Sequence, residues 1–382
     1  MNVLHSGTLA ASYGGPAMST YLTLKGLREL GVDAQIIQQP LEAGDVMRGE
    51  DVPIHYYGKP WEQKLCYAPG MRAAITALGA YDIYHAQGIW RWHTYALADA
   101  AQKLGRPYLI TPRGMLYPQD IAKASTAFKR LSLKLRLRSD MNRAACVHVT
   151  CKEEMRHCRD LGITSPMAVI PNPVEIKAYP AQEGKGTFRY GYLGRVSRRK
   201  NIDGLIRAYG ELTDMADGTE LLIIGDGDKQ YMEELLRLAT NVNHGKVRFT
   251  GFLNGPEKDK ALASCSVLVM PSEFENLGNV VLEGLVRGIP CIATTGAPWE
   301  ELNTCHCGWQ VPYTHEDLKG SLVNALNTPA AELKVMGKNG RELMERRYSV
   351  EAVAKDMKAL YEWILSGSNK PDFVFSYNCN LG

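Results

Sequence analysis

Long apolar runs are missing from this chain of 382 residues. No stretch approaches the roughly 18 uninterrupted apolar positions that a membrane-crossing helix requires. The opening segment, Met1 to Gly15, lacks a basic stretch followed by an apolar run and a small-residue cleavage site. The expectation is a cytoplasmic protein, neither secreted nor membrane-spanning. Cysteine occurs nine times but never as Cys-x-x-Cys, which removes the usual pattern of a structural zinc site and leaves reduced thiols. Cys305-His306-Cys307 has one residue between its thiols and no second pair beside it, poor spacing for a tetrahedral ion. No solenoid-length repeat and no low-complexity tract interrupts the chain. No sign of charge dominates either, with 44 Lys and Arg against 41 Asp and Glu. No aromatic-interleaved RNA motif is visible, so no nucleic-acid partner is expected. The near-balance hides a split: residues 1–180 carry 21 basic against 15 acidic side chains, and the remainder 23 against 26. The N-terminal half is therefore the one suited to an anionic partner.

What is present is an ordinary globular composition, 45% hydrophobic and 22% charged, on a chain long enough for two domains of about 150 to 200 residues each. Strand-like runs at Asn2–His5, Ala34–Ile37, Asp82–His85, Tyr108–Thr111, Cys146–Val149 and Met167–Ile170 alternate with helix-compatible stretches such as Ala17–Leu30 and Tyr95–Leu104. That alternation predicts a parallel sheet covered on both faces. The pattern restarts with Arg189–Leu193, Glu220–Ile224, Val247–Thr250, Val267–Met270, Pro290–Ala293 and Trp309–Val311. Turn formers and polar residues fill 171–188 between the two series. The fold class expected is α/β, with two Rossmann-like domains facing each other across a cleft: an N-terminal domain over 1–180 and a C-terminal domain over 187–350. In Val350–Leu365, Ala354, Met357, Leu360, Tyr361 and Ile364 form one buried helix face. This helix and the tail, 351–382, are expected to return toward the N-terminal domain, with residues 366–382 as a strand or extended tail. Ligands bind such sheets beyond the carboxyl ends of their strands. The Pro180–Gly186 linker and the return helix are expected to act as hinges for closure on a ligand.

Val269 to Pro290 reads as strand, loop, helix and a Gly-Ile-Pro turn. Glu275 falls in the loop and Glu283, eight residues on, lies inside the helix. Backbone N–H groups of Asn276 to Asn279 would face a phosphate or a sugar hydroxyl at the helix start. Taken alone, the two glutamates could equally be a cap and a solvated helix residue. A second stretch, Tyr190-Gly-Tyr-Leu-Gly-Arg195-Val-Ser-Arg-Arg-Lys200, runs from strand through a glycine turn to a helix. It places Arg195 and Lys200 where a diphosphate would meet two cations, as cleavage of a sugar–phosphate bond requires.

Together these stretches resemble the donor-site signatures of the retaining family 4 glycosyltransferases of GT-B architecture, also called glycosyl transferases group 1. Glu275 and Glu283 match that family's paired glutamates, and Glu275-Asn276-Leu277-Gly278 stands at the phenylalanine-glycine position of many members. The resemblance implies that Arg195 and Lys200 bind the diphosphate and that Glu283 binds the ribose. It also implies that Glu275, with the backbone of Asn276, Leu277 and Gly278, holds the sugar hydroxyls. Gly251-Phe252-Leu253 occupies the place of the base contact, and Gly14-Gly15 resembles the family's phosphate-approaching loop. Many relatives carry His-Gly after the fourth strand, where this chain has Thr111-Pro-Arg113-Gly114, while histidine stands earlier, at His85. Arg113 and His85 are expected near the acceptor, although a histidine at a strand end is more often a structural hydrogen-bonder.

By the same resemblance the donor is a nucleotide sugar, with uridine as the preferred base, and the acceptor a saccharide or lipid-linked saccharide of bacterial surface polysaccharide assembly. Retention is expected through front-face attack without an enzyme nucleophile. No cofactor and no metal are expected, because Arg195, Lys200 and helix N-termini can neutralise the diphosphate and no Asp-x-Asp motif is suited to holding an ion there. A sugar phosphorylase or a nucleotide-sugar epimerase shares the architecture and is the alternative. A nicotinamide dehydrogenase is disfavoured, since Gly225-Asp-Gly-Asp-Lys-Gln230 lacks the third glycine. Finally, Phe128-Lys-Arg-Leu-Ser-Leu-Lys-Leu-Arg-Leu-Arg138 fits a helix with a broad basic face. Peripheral contact with the inner membrane surface is one reading; a solvated face on the N-terminal sheet is the other, favoured by the low aromatic content.

Overall fold

The computed structural model describes residues 1–41, 45, 51–58, 67–122, 125–180, 186–367 and 369–377. The chain divides into two compact units, residues 1–173 with 350–382 and residues 174–349. In chain order the strands are β1 (Asn2–Ser6), β2 (Asp33–Gln38), β3 (Ile54–Tyr56), β4 (Ile83–Gln87), β5 (Tyr108–Thr111), β6 (Cys146–Val149), β7 (Met167–Val169), β8 (Arg189–Leu193), β9 (Glu220–Ile224), β10 (Lys246–Gly251), β11 (Val267–Met270), β12 (Cys291–Thr294), β13 (Gly308–Val311) and β14 (Val374–Phe375).

The first unit carries one sheet in the order β14-β7-β6-β5-β4-β1-β2-β3, parallel except for β14 against β7. Its central strands β4, β5 and β6 are buried along their whole length, so they show no alternation of buried and solvent-facing positions. Successive residues point to opposite faces. Leu4, Tyr84, Ile110 and Val147 join a core shared with Ala96 and Leu97 of the helix Trp92–Lys103. Their neighbours Val3, Ile83, Leu109 and Cys146 join another, with Leu24 and Leu27 of Gly15–Glu29 and with Met357, Leu360 and Tyr361 of Val350–Ser366. These last two helices pack closely. A Cβ on Gly26 would lie 2.7 Å from Val350 Cγ1 and 2.8 Å from Ala354 Cβ, so only glycine permits the approach.

The second unit carries an all-parallel sheet, β10-β9-β8-β11-β12-β13. Its chain winds outward from β8 through β9 and β10, then returns to the other side of β8 as β11. The switch point therefore lies between the carboxyl ends of β8 and β11, where open α/β sheets bind ligands. In the first unit the corresponding reversal lies between β1 and β4.

Two features differ from the sequence reading. Strand β3 was not anticipated: it is a three-residue edge strand without a buried face to give it a pattern. The division falls at 173/174 rather than at 180–187, because Val174 N–H donates to the Tyr348 carbonyl at 2.8 Å and pairs with Ser349, tying 174–180 to the second unit. Of the expected linker hinge, residues 181–185 lie outside the described residues, as do 368 and 378–382 of the tail. All seven described cysteines are free thiols. No helix among the described residues is long and apolar enough to cross a membrane.

Candidate functional site

In the second unit the loops after β8, β9, β11 and β12 are tied together around the switch point. Val196 N–H donates to the Asp226 carbonyl at 2.9 Å, Glu273 N–H to the Arg199 carbonyl at 3.1 Å and Glu275 N–H to the Gly296 carbonyl at 2.7 Å. The β8 loop ends in the tight turn Arg198–Lys200, after which Asn201, at φ 53°, starts the helix Ile202–Gly210. That turn aims Lys200 at the β11 loop, and its Nζ forms an ion pair with Glu275 Oε1. Both side chains are largely buried, 16% and 10% exposed. Arg195 is exposed, and its guanidinium makes no ion pair among the described residues. Its carbonyl accepts from the Tyr192 hydroxyl at 2.8 Å. Burial, and then the Glu275 charge, push the Tyr192 phenol well above its ordinary range.

The Glu275–Gly278 loop is braced from behind. Trp299, wholly buried, donates its indole N–H to the Leu277 carbonyl, and the Leu277 side chain belongs to the core rather than to the loop surface. Gly278 sits at φ 74°, where an added Cβ would come within 2.7 Å of the Met270 thioether, and the seven-residue helix Asn279–Leu285 begins immediately after it. Glu283 joins a different set. Its Oε2 accepts from Lys258 Nζ at 2.6 Å and lies 3.8 Å from Arg287 Nη1. Arg287 is itself 6% exposed, paired with Asp259, and stacked 4.1 Å from the centre of the Tyr179 ring. Sequence reading missed Lys258, Arg287 and Tyr179, although Arg287 at i+4 from Glu283 was a usable signal.

At the carboxyl ends of β9 and β10, Gly225 N–H donates to the Gly251 carbonyl at 2.9 Å. Phe252 stands 74% exposed and Leu253 is half-buried. Arg195, Ser197, Asp226, Gly227 and Asp228 line one cavity. An Asp-x-Asp pair thus does stand beside Arg195, but Asp228 Oδ1 accepts from the Tyr231 N–H as a helix cap and Asp226 Oδ1 accepts from the Gly227 N–H. Among the described residues, one group has metal-ligand geometry: Glu211, His315 and Glu316. It includes none of the expected site residues, and Lys319 Nζ already lies 3.2 Å from Glu211.

In the first unit Gly14, at φ 63°, caps the helix Gly15–Glu29, with Pro16 in its first turn. Arg113 follows β5 in the left-handed region at φ 54°. Its Nε and Nη2 donate to Gln87 Oε1 at 3.1 and 2.7 Å, and its Nη1 to Ser19 Oγ and Asn172 Oδ1 at 2.6 and 3.2 Å. No carboxylate pairs with it among the described residues, and burial pulls it down to about 10. His85 corrects the sequence reading. It is completely buried, with Nδ1 2.7 Å from the Tyr361 hydroxyl and Nε2 2.7 Å from Thr111 Oγ1. Both ring nitrogens are engaged, and burial, then His5, hold it neutral well below its ordinary value. With no exposed surface, it braces the sheet from within. Beside it His5 and His148 are likewise buried; sequence reading passed over both because they sit inside strand runs.

Residues 176–343 match the family described as glycosyl transferases group 1, and residues 14–173 match the glycosyl transferase 4-like domain. Together these account for most of the chain. A lipopolysaccharide core biosynthesis glycosyltransferase of Rhizobium meliloti is 36% identical over 110 residues, 28% of this chain and 30% of that protein. Soluble starch synthase 1 of Solanum tuberosum is 29% identical over 185 residues, 45% of this chain and 28% of that protein. The matched stretch spans less than half the length of these curated relatives. In fold, the chain is similar to a sucrose-phosphate synthase from Thermosynechococcus elongatus, with TM-score 0.75 at 20% identity, covering 96% of this chain and 100% of that one. It is also similar to Anabaena HepE in complex with UDP and glucose, with TM-score 0.74 at 17% identity, covering 95% and 99%.

Proposed function

Because the chain belongs to the glycosyl transferases group 1, we propose that it moves a hexosyl group from a nucleotide-diphosphate sugar to a saccharide or lipid-linked saccharide acceptor. The observation that carries this reading is the Lys200–Glu275 ion pair at the switch point of the second sheet, with the exposed Arg195 on the same loop. In the free protein the two partners neutralise each other. A diphosphate competes for Lys200, which frees Glu275 to accept from sugar hydroxyls, while Arg195 adds a second cation for the departing charge. Glu283, held by Lys258, presents its remaining carboxylate oxygen to the ribose. Gly251, Phe252 and Leu253 meet the base, for which uridine is preferred. UDP in the complex of the similar Anabaena protein supports that choice.

By the family resemblance cleavage proceeds with retention, and the leaving diphosphate takes the acceptor proton. Catalysis is then positioning plus charge stabilisation. No metal takes part, since Arg195 and Lys200 supply the charge; loss of turnover in EDTA, restored by magnesium or manganese, would contradict this. The test of the reading is a calorimetric panel of UDP, GDP, ADP and CMP. One nucleoside diphosphate is expected to bind the wild type and to fail with Lys200→Ala plus Arg195→Ala. Binding by none of them would sink it.

The acceptor belongs to surface polysaccharide or lipopolysaccharide assembly, as the name of the Rhizobium relative suggests, and the protein works at the cytoplasmic membrane surface. In the helical stretch 126–143, Phe128, Leu131 and Leu135 are 58%, 55% and 70% exposed at i, i+3 and i+7. Arg130, Lys134 and Arg138 flank them and make no ion pair among the described residues. Arg136 and Arg143 are committed to Asp99 and Asp140. Apolar residues beside free cations suit anionic headgroups. Vesicles of anionic lipid should sediment the wild type but not a Lys134→Glu, Arg138→Glu variant, and equal sedimentation of both removes the contact.

A further inference from the structure

The polar network around His85 has a direction, imposed from both of its ends. Arg113 at one end can only donate, and does so to Gln87 Oε1. The Ile170 carbonyl at the other end can only accept, and lies 2.9 Å from His148 Nε2. Between them, Gln87 Nε2 is 3.1 Å from His5 Nδ1, and His5 Nε2 is 3.3 Å from the Tyr361 hydroxyl. That hydroxyl is 2.7 Å from His85 Nδ1, His85 Nε2 is 2.7 Å from Thr111 Oγ1, and Thr111 Oγ1 is 3.0 Å from His148 Nδ1.

Working from Ile170, His148 carries its proton on Nε2. Its Nδ1 therefore accepts, the Thr111 hydroxyl donates to it, and Thr111 in turn accepts from His85 Nε2–H. His85 Nδ1 then accepts from Tyr361. Working from Arg113, the Gln87 oxygen is taken by the guanidinium, so the Gln87 amide donates to His5 Nδ1, and His5 Nε2–H donates to Tyr361. The Tyr361 hydroxyl therefore accepts from His5 and donates to His85. All three imidazoles are neutral and share the Nε2–H tautomer, since a charged ring would set two donors against each other. The chain draws on β1, β4, β5, β6 and the residue after β7, and Tyr361 is its only member from a helix.

We propose that Tyr361 is a positioning residue for Arg113: through His5 and Gln87 it holds the guanidinium in place for an anionic group of the substrate. Four of the five guanidinium N–H groups go to neutral oxygens, so uncharged partners orient the guanidinium. The proposal rests on the reading of Arg113 as substrate-facing, but the coupling of Tyr361 to Arg113 can be tested apart from it.

Two-bond ¹H–¹⁵N spectra of the histidine-labelled full chain at pH 7 should show His5, His85 and His148 as neutral Nε2–H rings. A charged ring or an Nδ1–H tautomer among them overturns the chain. With the nucleotide sugar found by the calorimetric panel, Tyr361→Phe and Arg113→Lys should each lower kcat/KM by about tenfold, and the double variant should be no worse than Arg113→Lys alone. Losses that multiply would mean that Tyr361 only supports the core, and would refute the proposal. If no nucleotide sugar is turned over, the functional reading fails. Denaturant midpoints of Arg113→Gln, Tyr361→Phe and their double variant then decide the coupling: non-additive shifts between two residues that do not touch sustain it, and additive shifts end it.

Discussion

In the second unit Lys200 meets Glu275 and Lys258 meets Glu283, so cations near the strand ends are matched by carboxylates. In the first unit Arg113 meets the neutral oxygens of Gln87, Ser19 and Asn172, and the imidazoles behind it are buried and uncharged. The pairs of the second unit can exchange one partner for another at modest cost, because each group finds charge on both sides of the exchange. The network of the first unit cannot change partners without leaving a buried donor or acceptor unmade, which costs about 1 to 3 kcal/mol for each group. One sheet end is built to swap contacts and the other to stay fixed.

That contrast can be broken most sharply at Lys200. Lys200→Ala and Glu275→Ala should each lower kcat/KM by about two to three orders of magnitude, the scale of losing one preorganised charge contact. A loss below about tenfold in steady-state turnover would mean that the ion pair is only structural.

Acid should separate the units next. Burial holds His5 and His148 down at about 3, against 6.5 for a free imidazole, with Arg113 adding to the effect in both. Between those values the folded form binds fewer protons than the unfolded one. Stability is therefore full above pH 6.5 and falls as pH drops toward 3, by about 1.4 kcal/mol for each histidine at pH 5.5. Glu154, raised by burial, opposes this, but His85 and His93, also lowered by burial, act in the same direction as His5 and His148. Hydrogen exchange at pH 5.5 should show the first unit losing protection before the second; simultaneous loss would refute the assignment.

The smallest effect belongs to Gly278→Ala. The left-handed backbone and the Met270 contact should cost about 1 to 2 kcal/mol, readable as a lowered denaturant midpoint of the second unit, and no shift would mean that the loop relaxes freely.

The residues of the second unit were legible because each carries its chemistry in local spacing: Arg195 and Lys200 around one glycine turn, Glu275 and Glu283 around one helix start. Lys258 was not, since it reaches Glu283 from a neighbouring helix and nothing in Gly255–Ala263 marks it. In the first unit the expected role of His85 failed for a reason local pattern does not contain. Its two partners, Thr111 and Tyr361, lie 26 and 276 positions away, and together they leave it no free nitrogen.

The sequence by itself determined the two α/β units, the positions of their strands other than the edge strand β3 to within a residue or two, and the family, because hydrophobic period and glycine turns act over a few residues. It also named Lys200 and Glu275, but as separate groups. Only the tertiary structure decided that these two form one ion pair, that Glu283 answers to Lys258, and that the last helix sends Tyr361 among the histidines of the first sheet. The reason is physical: a hydrogen bond or ion pair is fixed by the few ångströms between two groups, and which groups come that close is set by how the strands are ordered in the sheet, not by how far apart they stand in the chain.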